Sequence, residues 1–493
     1  MSALDIVIVG FGFAGGVAAI AAADAGAKVL LLEKMPDPGG ISVCSAGGIR
    51  VAKDAAKALA YLEATNGGTT PRPVLKALAD GMLDIGDFMK GLGDAVGAVV
   101  VRREAEGNYP FDGYDTFGFV NVDDIPGIDL ARTFPHVRGS PAGARMFKVV
   151  LDNVTKRPSI EVRLSTPVNR LIRENGRVVG VVTDAGPIRA GRAVILTTGG
   201  FEADAEMQRQ FWQLKPVLSA AVRCNTGDGI RMAQSAGASL WHMWHFHGCY
   251  GFRHSDPTYP FGIRLKRLPD WLPGRGPRGD VRMAWIVVDR SGKRFMNEYH
   301  PYLQDTGHRP MDYYEPEVQA YPHVPGLLIV DDEGRKLYPL GAPTYNDRGV
   351  SFSWSRDNLA EVDLGILKRA QSIEEMAAQM GTNSSVLART LADWNQACEA
   401  GHDPVFGRPP SSMVRVDKPP FFWGEVWPVV SNTQGGPAHD ERQRVLDAFG
   451  QPIPGLYAAG ELGSVFGHLY MSGGNLAECF IGGRIAGREA AHA

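Results

Sequence analysis

Along this chain the spacing of apolar residues changes several times, and each change predicts an element. Residues 6–9 read Ile-Val-Ile-Val with no polar position among them, as in a central parallel strand covered on both faces. An alanine-rich stretch, 16–25, follows as a helix. Gly26 ends it, and 28–32 form a second apolar strand, completing a βαβ unit. From 50 to 92 the Ala/Leu/Asp spacing predicts helices. From 161 to 196 strands are expected, broken by turns at Glu174-Asn175-Gly176 and Ala185-Gly186-Pro187 and ending in ILTTGGF.

Between about 240 and 430 the pattern fades, and Pro, Trp, Tyr and Arg become frequent, as in RLPDWLPGRGPRGD. Helical periodicity returns only over 372–398. From Asn432 to the end the text is again glycine-rich and alternates strand-like with helix-like runs. The expected class is therefore α/β: a Rossmann-type dinucleotide-binding domain made of 1–240 and 430–493, interrupted by an α+β catalytic cap at 241–429.

Composition narrows the function. With 44% hydrophobic residues, a formal charge of −3 and no dense Lys/Arg block, the chain carries no electrostatic footprint for nucleic acid or an anionic membrane. Its apolar runs are too short to span a bilayer, and no leader pattern precedes the first strand, so a cytoplasmic enzyme of small molecules is expected. The five scattered cysteines lack metal spacing, which predicts reduced thiols and no metal. His242, His245 and His247 in WHMWHFHG read first as part of an aromatic wall, with an active-site role as the alternative.

The first chemical signal is Gly10-Phe11-Gly12-Phe13-Ala14-Gly15, a GxGxxG directly between strand and helix. Gly10 allows a tight turn and Gly12 lets backbone approach a pyrophosphate. Gly15 lets the helix lie close to the strand, with its N-terminus toward the phosphates. Glu33, at the end of the second strand, is placed to accept hydrogen bonds from an adenosine ribose and to repel a 2′-phosphate. These residues do not choose between NAD and FAD.

Four segments do. GFGFAGG…LLEK, GGISVCSAGGIR (39–50), ILTTGGF and GLYAAGELGS…SGGNLAECFIGGRIAG (455–487) resemble the FAD-binding fold shared by soluble fumarate reductases and 3-ketosteroid dehydrogenases. GKRFMNE (292–298) extends the likeness over nearly the whole chain. The resemblance implies FAD, with Glu33 at the adenosine ribose and Gly39, Gly40, Ser45 and Gly47 flanking the pyrophosphate and flavin. Gly460 and Glu461 are implied at the ribityl and phosphate region, and Asn475 and Leu476 at the isoalloxazine. Gly10, Gly12, Ala14, Gly15, Lys34, Gly48, Val168, Thr198, Gly199, Gly200 and Gly474 complete the implied cofactor-binding set. Some relatives attach flavin to a histidine near the GG segment; ISVCSAGG has none, which implies non-covalent FAD. No second GxGxxG for NAD(P)H follows, which implies a separate electron acceptor or donor.

Around the substrate the sequence departs from the fumarate reductases. Tyr302 stands where they carry a proton-donating arginine, Asn432 where they carry a histidine, and Tyr470-Met471-Ser472-Gly473-Gly474-Asn475 where they carry Asn-Arg. These substitutions resemble the ketosteroid dehydrogenases, most closely the branch acting at the 4,5 bond. The likeness implies Tyr302 as acid/base at the α-carbon, Tyr470 and Gly474 N–H as donors to the ketone oxygen, and Ser472 beside them. The chemistry requires such donors because a saturated ketone's α-proton is barely acidic; one donor at the developing enolate contributes roughly 3 kcal/mol. An apolar cyclic ketone or enone is the implied substrate. Tyr299 competes with Tyr302, and Tyr109 or Tyr114 stands as an additional tyrosine. His468 and Asn432 are further pocket candidates. The alternative is an unsaturated carboxylic acid, for which Arg138, Arg145, Arg264 or Arg294 must enter the pocket; a non-enzymatic role with structural FAD is a third reading.

Overall fold

The computed structural model describes residues 4–272, 276–277, 281–299 and 302–493. Within RLPDWLPGRGPRGD, residues 273–275 and 278–280 lie outside the described residues, as do His300 and Pro301 of EYHPYLQD.

Strand Ile6–Val9 is the centre of a six-stranded sheet. It pairs in parallel with Val29–Leu32 on one side and Ala193–Leu196 on the other, Ile6 lying between Val29 and Ala193. Ile160–Arg163 extends the sheet beyond Val29–Leu32. Pro452–Ala458 extends it beyond Ala193–Leu196, with Arg444–Leu446 as an antiparallel edge. The unbroken apolar text follows from this position. Ile6 and Ile8 enter a core with helix Phe13–Asp24, while Val7 and Val9 enter another with Val178 and Val181 of the antiparallel sheet 168–189. Neither face meets water, so both phases of the strand are apolar, each buried side chain stabilising by roughly 1.5–3 kcal/mol.

The chain's last helix, Gly474–Ala491, lies across helix Phe13–Asp24 at backbone contact. A Cβ on Gly483 would stand 2.6 Å from the Ala14 carbonyl oxygen, and one on Gly487 2.3 Å from that of Ala18. The terminal segment is thereby held on the first domain, 450 residues away in sequence.

Over 50–92 the expected helices are Ala55–Asn66 and Arg72–Asp94, the first capped by Asp54 and stopped by left-handed Gly67. They pack on an antiparallel sheet that the helical pattern does not announce, Gly48–Ala52 with Phe117–Asp124 and Val99–Glu104. The intervening region builds an eight-stranded sheet around the long strand Phe421–Thr433, flanked by Gly326–Asp331 and Phe246–Arg253. Leu218–Ser219 joins this sheet from the first-domain side. The boundary drawn at residue 429 falls inside Phe421–Thr433, which carries the cap sheet up to Thr433, beside Glu461.

Candidate functional site

Two confluent cavities run along the carboxyl ends of the parallel strands, where open α/β sheets bind ligands. The first is a trough floored by the glycine turn. Gly10 adopts φ +102°, and a Cβ there would lie 2.4 Å from the Thr197 carbonyl oxygen. Gly12 precedes a helix that has no side-chain N-cap, although Phe13 N–H donates to Ser42 Oγ at 3.0 Å. Glu33 closes one end. Its carboxylate accepts Phe11 N–H and Met35 N–H, both at 2.9 Å, and burial raises its pKa. Lys34 is held by Asp228 (2.6 Å) and Thr226 (2.9 Å).

Ala14, Gly39, Gly40, Val168, Thr198, Gly199 and Glu461 also line this trough. The Thr198 hydroxyl is buried against Gly229 and has no hydrogen-bond partner among the described residues. Five expected glycines lie behind the walls. Gly15 packs on the Gly10 carbonyl, Gly47 on Ala142, and Gly200 on Thr433 and Glu461. Gly460 packs on Ala14 and Cys479, and Gly474 on the Phe466 ring. Each is packed closely against protein on the side where a Cβ would stand.

Glu461 borders both cavities. Its Oε1 accepts Thr433 N–H at 2.9 Å, and Asn225 Nδ2 donates to Glu202 at 2.7 Å and to Glu461 at 3.5 Å. Burial raises Glu461 to about 8. Burial together with the Glu461 charge raises Glu202 well above the carboxylate range.

The second cavity, about 350 Å³, lies between the first domain and the cap. Ser45, Gly48, Asn475 and Leu476 form its trough side. Tyr302 and Tyr470 both face it, with ring centroids 6.3 Å apart. Tyr302 precedes the short helix Leu303–Thr306; Tyr470 lies in the loop leading into Gly474–Ala491. Asp305 ties them together: its N–H donates to the Tyr302 carbonyl at 3.0 Å, and its Oδ2 accepts Tyr470 N–H at 3.0 Å and Tyr109 O–H at 2.7 Å. Arg50 fixes the same loop, donating from Nε to the Ser472 carbonyl at 2.8 Å while its guanidinium lies 4.0 Å over Phe119. Ser472 lines the cavity, but the Gly474 N–H donates to Met471 O at 2.8 Å.

Burial raises the Tyr302 phenol well above its ordinary value, with Arg267 and Ser472 pulling back and Asp270 and Asp305 opposing them. Tyr470 is raised by burial and by Tyr302. Both phenols are thus protonated at neutral pH.

The other tyrosines separate cleanly. Tyr299 is in the cap core and donates to the Pro269 carbonyl. Tyr109 meets Tyr302 edge-on at 6.5 Å from behind the wall, and Tyr114 packs against the first-domain core. The histidines separate too. His242 uses both ring nitrogens on Ser464 O (2.7 Å) and Thr69 O (3.1 Å), and His245 bonds Phe466 O at 2.7 Å. His247 instead lines the cavity, 4.2 Å from the Tyr470 ring, with Nδ1 3.7 Å from Asp305. Burial lowers its pKa, leaving the imidazole neutral. Burial works to raise Asp305, yet its hydrogen-bonded setting keeps the carboxyl below the usual range.

His247 sits opposite Asn432 in the cap-sheet register, and Asn432 also lines the cavity, donating to Asn475 Oδ1 at 2.8 Å. His468 is exposed, beside Gly67. Of the four arginines named above, Arg264 alone lines the cavity. Arg138 donates to Pro135 and Val137 carbonyls, Arg145 to that of Val122, and Arg294 pairs with Glu298 and Asp403. Arg267, which the sequence did not single out, lines it as well. Among the described residues no helix is long and apolar enough to cross a membrane.

Comparison with known proteins places this geometry. The chain is 28% identical to a fumarate reductase (cytochrome) of Shewanella frigidimarina, over 99% of this chain and 77% of that one. It is also 28% identical to a 3-oxosteroid 1-dehydrogenase of Mycolicibacterium smegmatis, over 99% and 97% of the two chains. Its structure superposes on that of a 3-ketosteroid delta1-dehydrogenase from Sterolibacterium denitrificans with TM-score 0.82 and 22% identity, both chains covered completely. A family model described as FAD binding domain matches residues 5–476. The cofactor is accordingly FAD, and the chain belongs to the FAD binding domain family as an FAD-dependent oxidoreductase.

Proposed function

We propose that this enzyme introduces or reduces a carbon–carbon double bond α,β to a ring ketone. The observation that carries the reading is the pair Tyr302 and Tyr470, fixed through Asp305 in one cavity that also contains Asn475 and Leu476. FAD, when bound, takes up or gives back the hydride of the β-carbon.

The chain's own groups handle the proton and the oxygen charge. Tyr470 O–H donates to the ketone oxygen, and Gly474 N–H serves as second donor by sharing the hydrogen it gives Met471. Tyr302 exchanges the α-proton. Burial keeps it protonated, the form that donates during enone reduction, while Arg267 draws its pKa back toward the working range and, in the opposite direction, favours the phenolate that must form. Ser472, adjacent to Arg267, orders this corner. We place Asn475 and Leu476 at the isoalloxazine, and the reading includes a separate electron carrier. The five cysteines, all free, support a cytoplasmic location.

A second reading, oxidation or reduction of an unsaturated carboxylic acid, draws support from the presence of Arg264 in the cavity. Anaerobic titration separates the two. A saturated cyclic ketone, either a 3-ketosteroid or a substituted cyclohexanone, is expected to bleach the flavin absorbance, and the matching enone to restore it. The ketone reading is overturned if no ketone or enone changes the flavin while a ketone-free unsaturated acid reoxidises it.

A further inference from the structure

The cavity contains two guanidinium groups that the ketone chemistry does not employ on the substrate. Arg264 projects from strand Gly262–Leu265 of the cap sheet, next to Phe246–Arg253. Its hydrogen bonds go to hydroxyls: Nη1 to Ser431 Oγ at 2.9 Å and Nη2 to Thr344 Oγ1 at 3.3 Å. Arg267 follows three residues later, and its Nη2 reaches Ser472 Oγ at 3.4 Å. Neither guanidinium has a carboxylate within ion-pair distance among the described residues. The Arg267 charge opposes that of Arg264, and Tyr302, Asp270 and Tyr470 attract Arg267 through space.

This contrasts with the other enclosed arginines. Arg294 bridges Glu298 and Asp403, and Arg408 is 3.3 Å from Glu298. Arg50, which lacks a carboxylate, spends its donors on the Ser472 and Glu106 carbonyls and the Asn108 amide. Removing a cation from bulk water without an anion is unfavourable. Here Arg264, half-buried and hydrogen-bonded to hydroxyls, shares a wall with Arg267, whose side chain is exposed. A planar oxyanion bridging the two forks satisfies both charges at once, with the bidentate geometry that distinguishes arginine from lysine.

We infer that Arg264 and Arg267 form a carboxylate subsite, and that the natural substrate is a cyclic ketone bearing a carboxylate at a distance from the carbonyl. This inference rests on the ketone reading above for the identity of the other half of the substrate. Tyr470 and Tyr302 then act on the ketone end while the two arginines hold the acid end. The subsite sets both orientation and selectivity.

The test uses the FAD-loaded enzyme and three probes that share one ring: 4-oxocyclohexane-1-carboxylate, its amide and its methyl ester. Binding is read from the perturbation of the oxidised flavin spectrum, which requires no turnover. The carboxylate is expected to bind at least about 10-fold more tightly than either neutral analogue, as for a charge-assisted hydrogen-bonded pair. That ratio is expected to fall to about one in Arg264→Gln and to an intermediate value in Arg264→Lys and Arg267→Gln, each checked for wild-type flavin content. Equal binding of acid, amide and ester by the wild-type enzyme overturns the inference without any variant. A ratio that persists in both Gln variants overturns it equally. Should the carboxylate preference hold while no ketone bleaches the flavin, the subsite stands and the ketone reading fails. Should ketones turn over with no preference for the acid, the reverse applies.

Discussion

The trough and the cavity meet at Glu461, yet they are made of different material. The trough is floored by glycine backbone: Gly10, Gly12, Gly39, Gly40 and Gly199 line it, with Glu33, Lys34, Asp228 and Glu461 as charged side chains around them. The cavity is largely side chain: Tyr302, Tyr470, His247, Asn432, Arg264 and Arg267 come from five separate stretches of the chain. A site made of backbone is damaged by any added atom, whatever its chemistry. A site made of side chains loses its function when one atom is removed, even if the shape is kept.

The largest effect is expected on the trough side. Gly10→Ala places a methyl group 2.4 Å from the Thr197 carbonyl oxygen at φ +102°, a conformation that penalises any Cβ and a contact that no side-chain motion relieves. The purified variant is expected to carry no flavin, measured as the ratio of 450 nm to protein absorbance. A fully loaded Gly10→Ala protein breaks the distinction between the two regions.

On the cavity side the change removes a single oxygen. Tyr302→Phe and Tyr470→Phe are each expected to lower turnover of a ketone or enone by about 10²-fold or more while flavin content stays at the wild-type level, in keeping with acid/base and oxyanion contributions. The rings keep their packing against His247 and each other. Near-normal rates in both variants remove the tyrosines from the chemistry and leave the acid reading.

The same division explains what was legible in the sequence. Gly10, Gly12 and Glu33 lie within one βαβ unit, so their spacing alone places them, and the apolar run at 6–9 announces a strand buried on both faces. Gly47, Gly200, Gly460 and Gly474 show the limit of that logic. A glycine beside a ligand and a glycine beside another part of the protein are written with the same letter, and on their Cβ side these four meet protein. The cavity was partly legible. Tyr302 and Tyr470 carried a motif, whereas His247 acquires its place from pairing with Asn432 across 185 residues. Arg267 depends on where strand Gly262–Leu265 ends, next to a segment in which periodicity fades. Asp305 had no signal at all: its role is to accept the Tyr470 N–H, a backbone bond that no side-chain pattern records.

The smallest effect concerns the residue that belongs to both regions. Glu461 titrates near 8 in the folded chain against an ordinary value of 4.5, chiefly because it is buried, and Glu202 is raised beside it. A folded-state pKa above the unfolded one means that the native protein holds the proton more tightly. The stabilisation is therefore complete below pH 4.5 and is lost as the pH rises through about 8. In flavin-stripped protein, where ligand release adds no pH dependence of its own, Tm is expected to decline from pH 5 to pH 8.5. Glu461→Gln retains the neutral form throughout and is expected to flatten that decline by a few degrees. Parallel curves for the two proteins mean that Glu461 does not hold its proton above the ordinary carboxylate range in the folded chain.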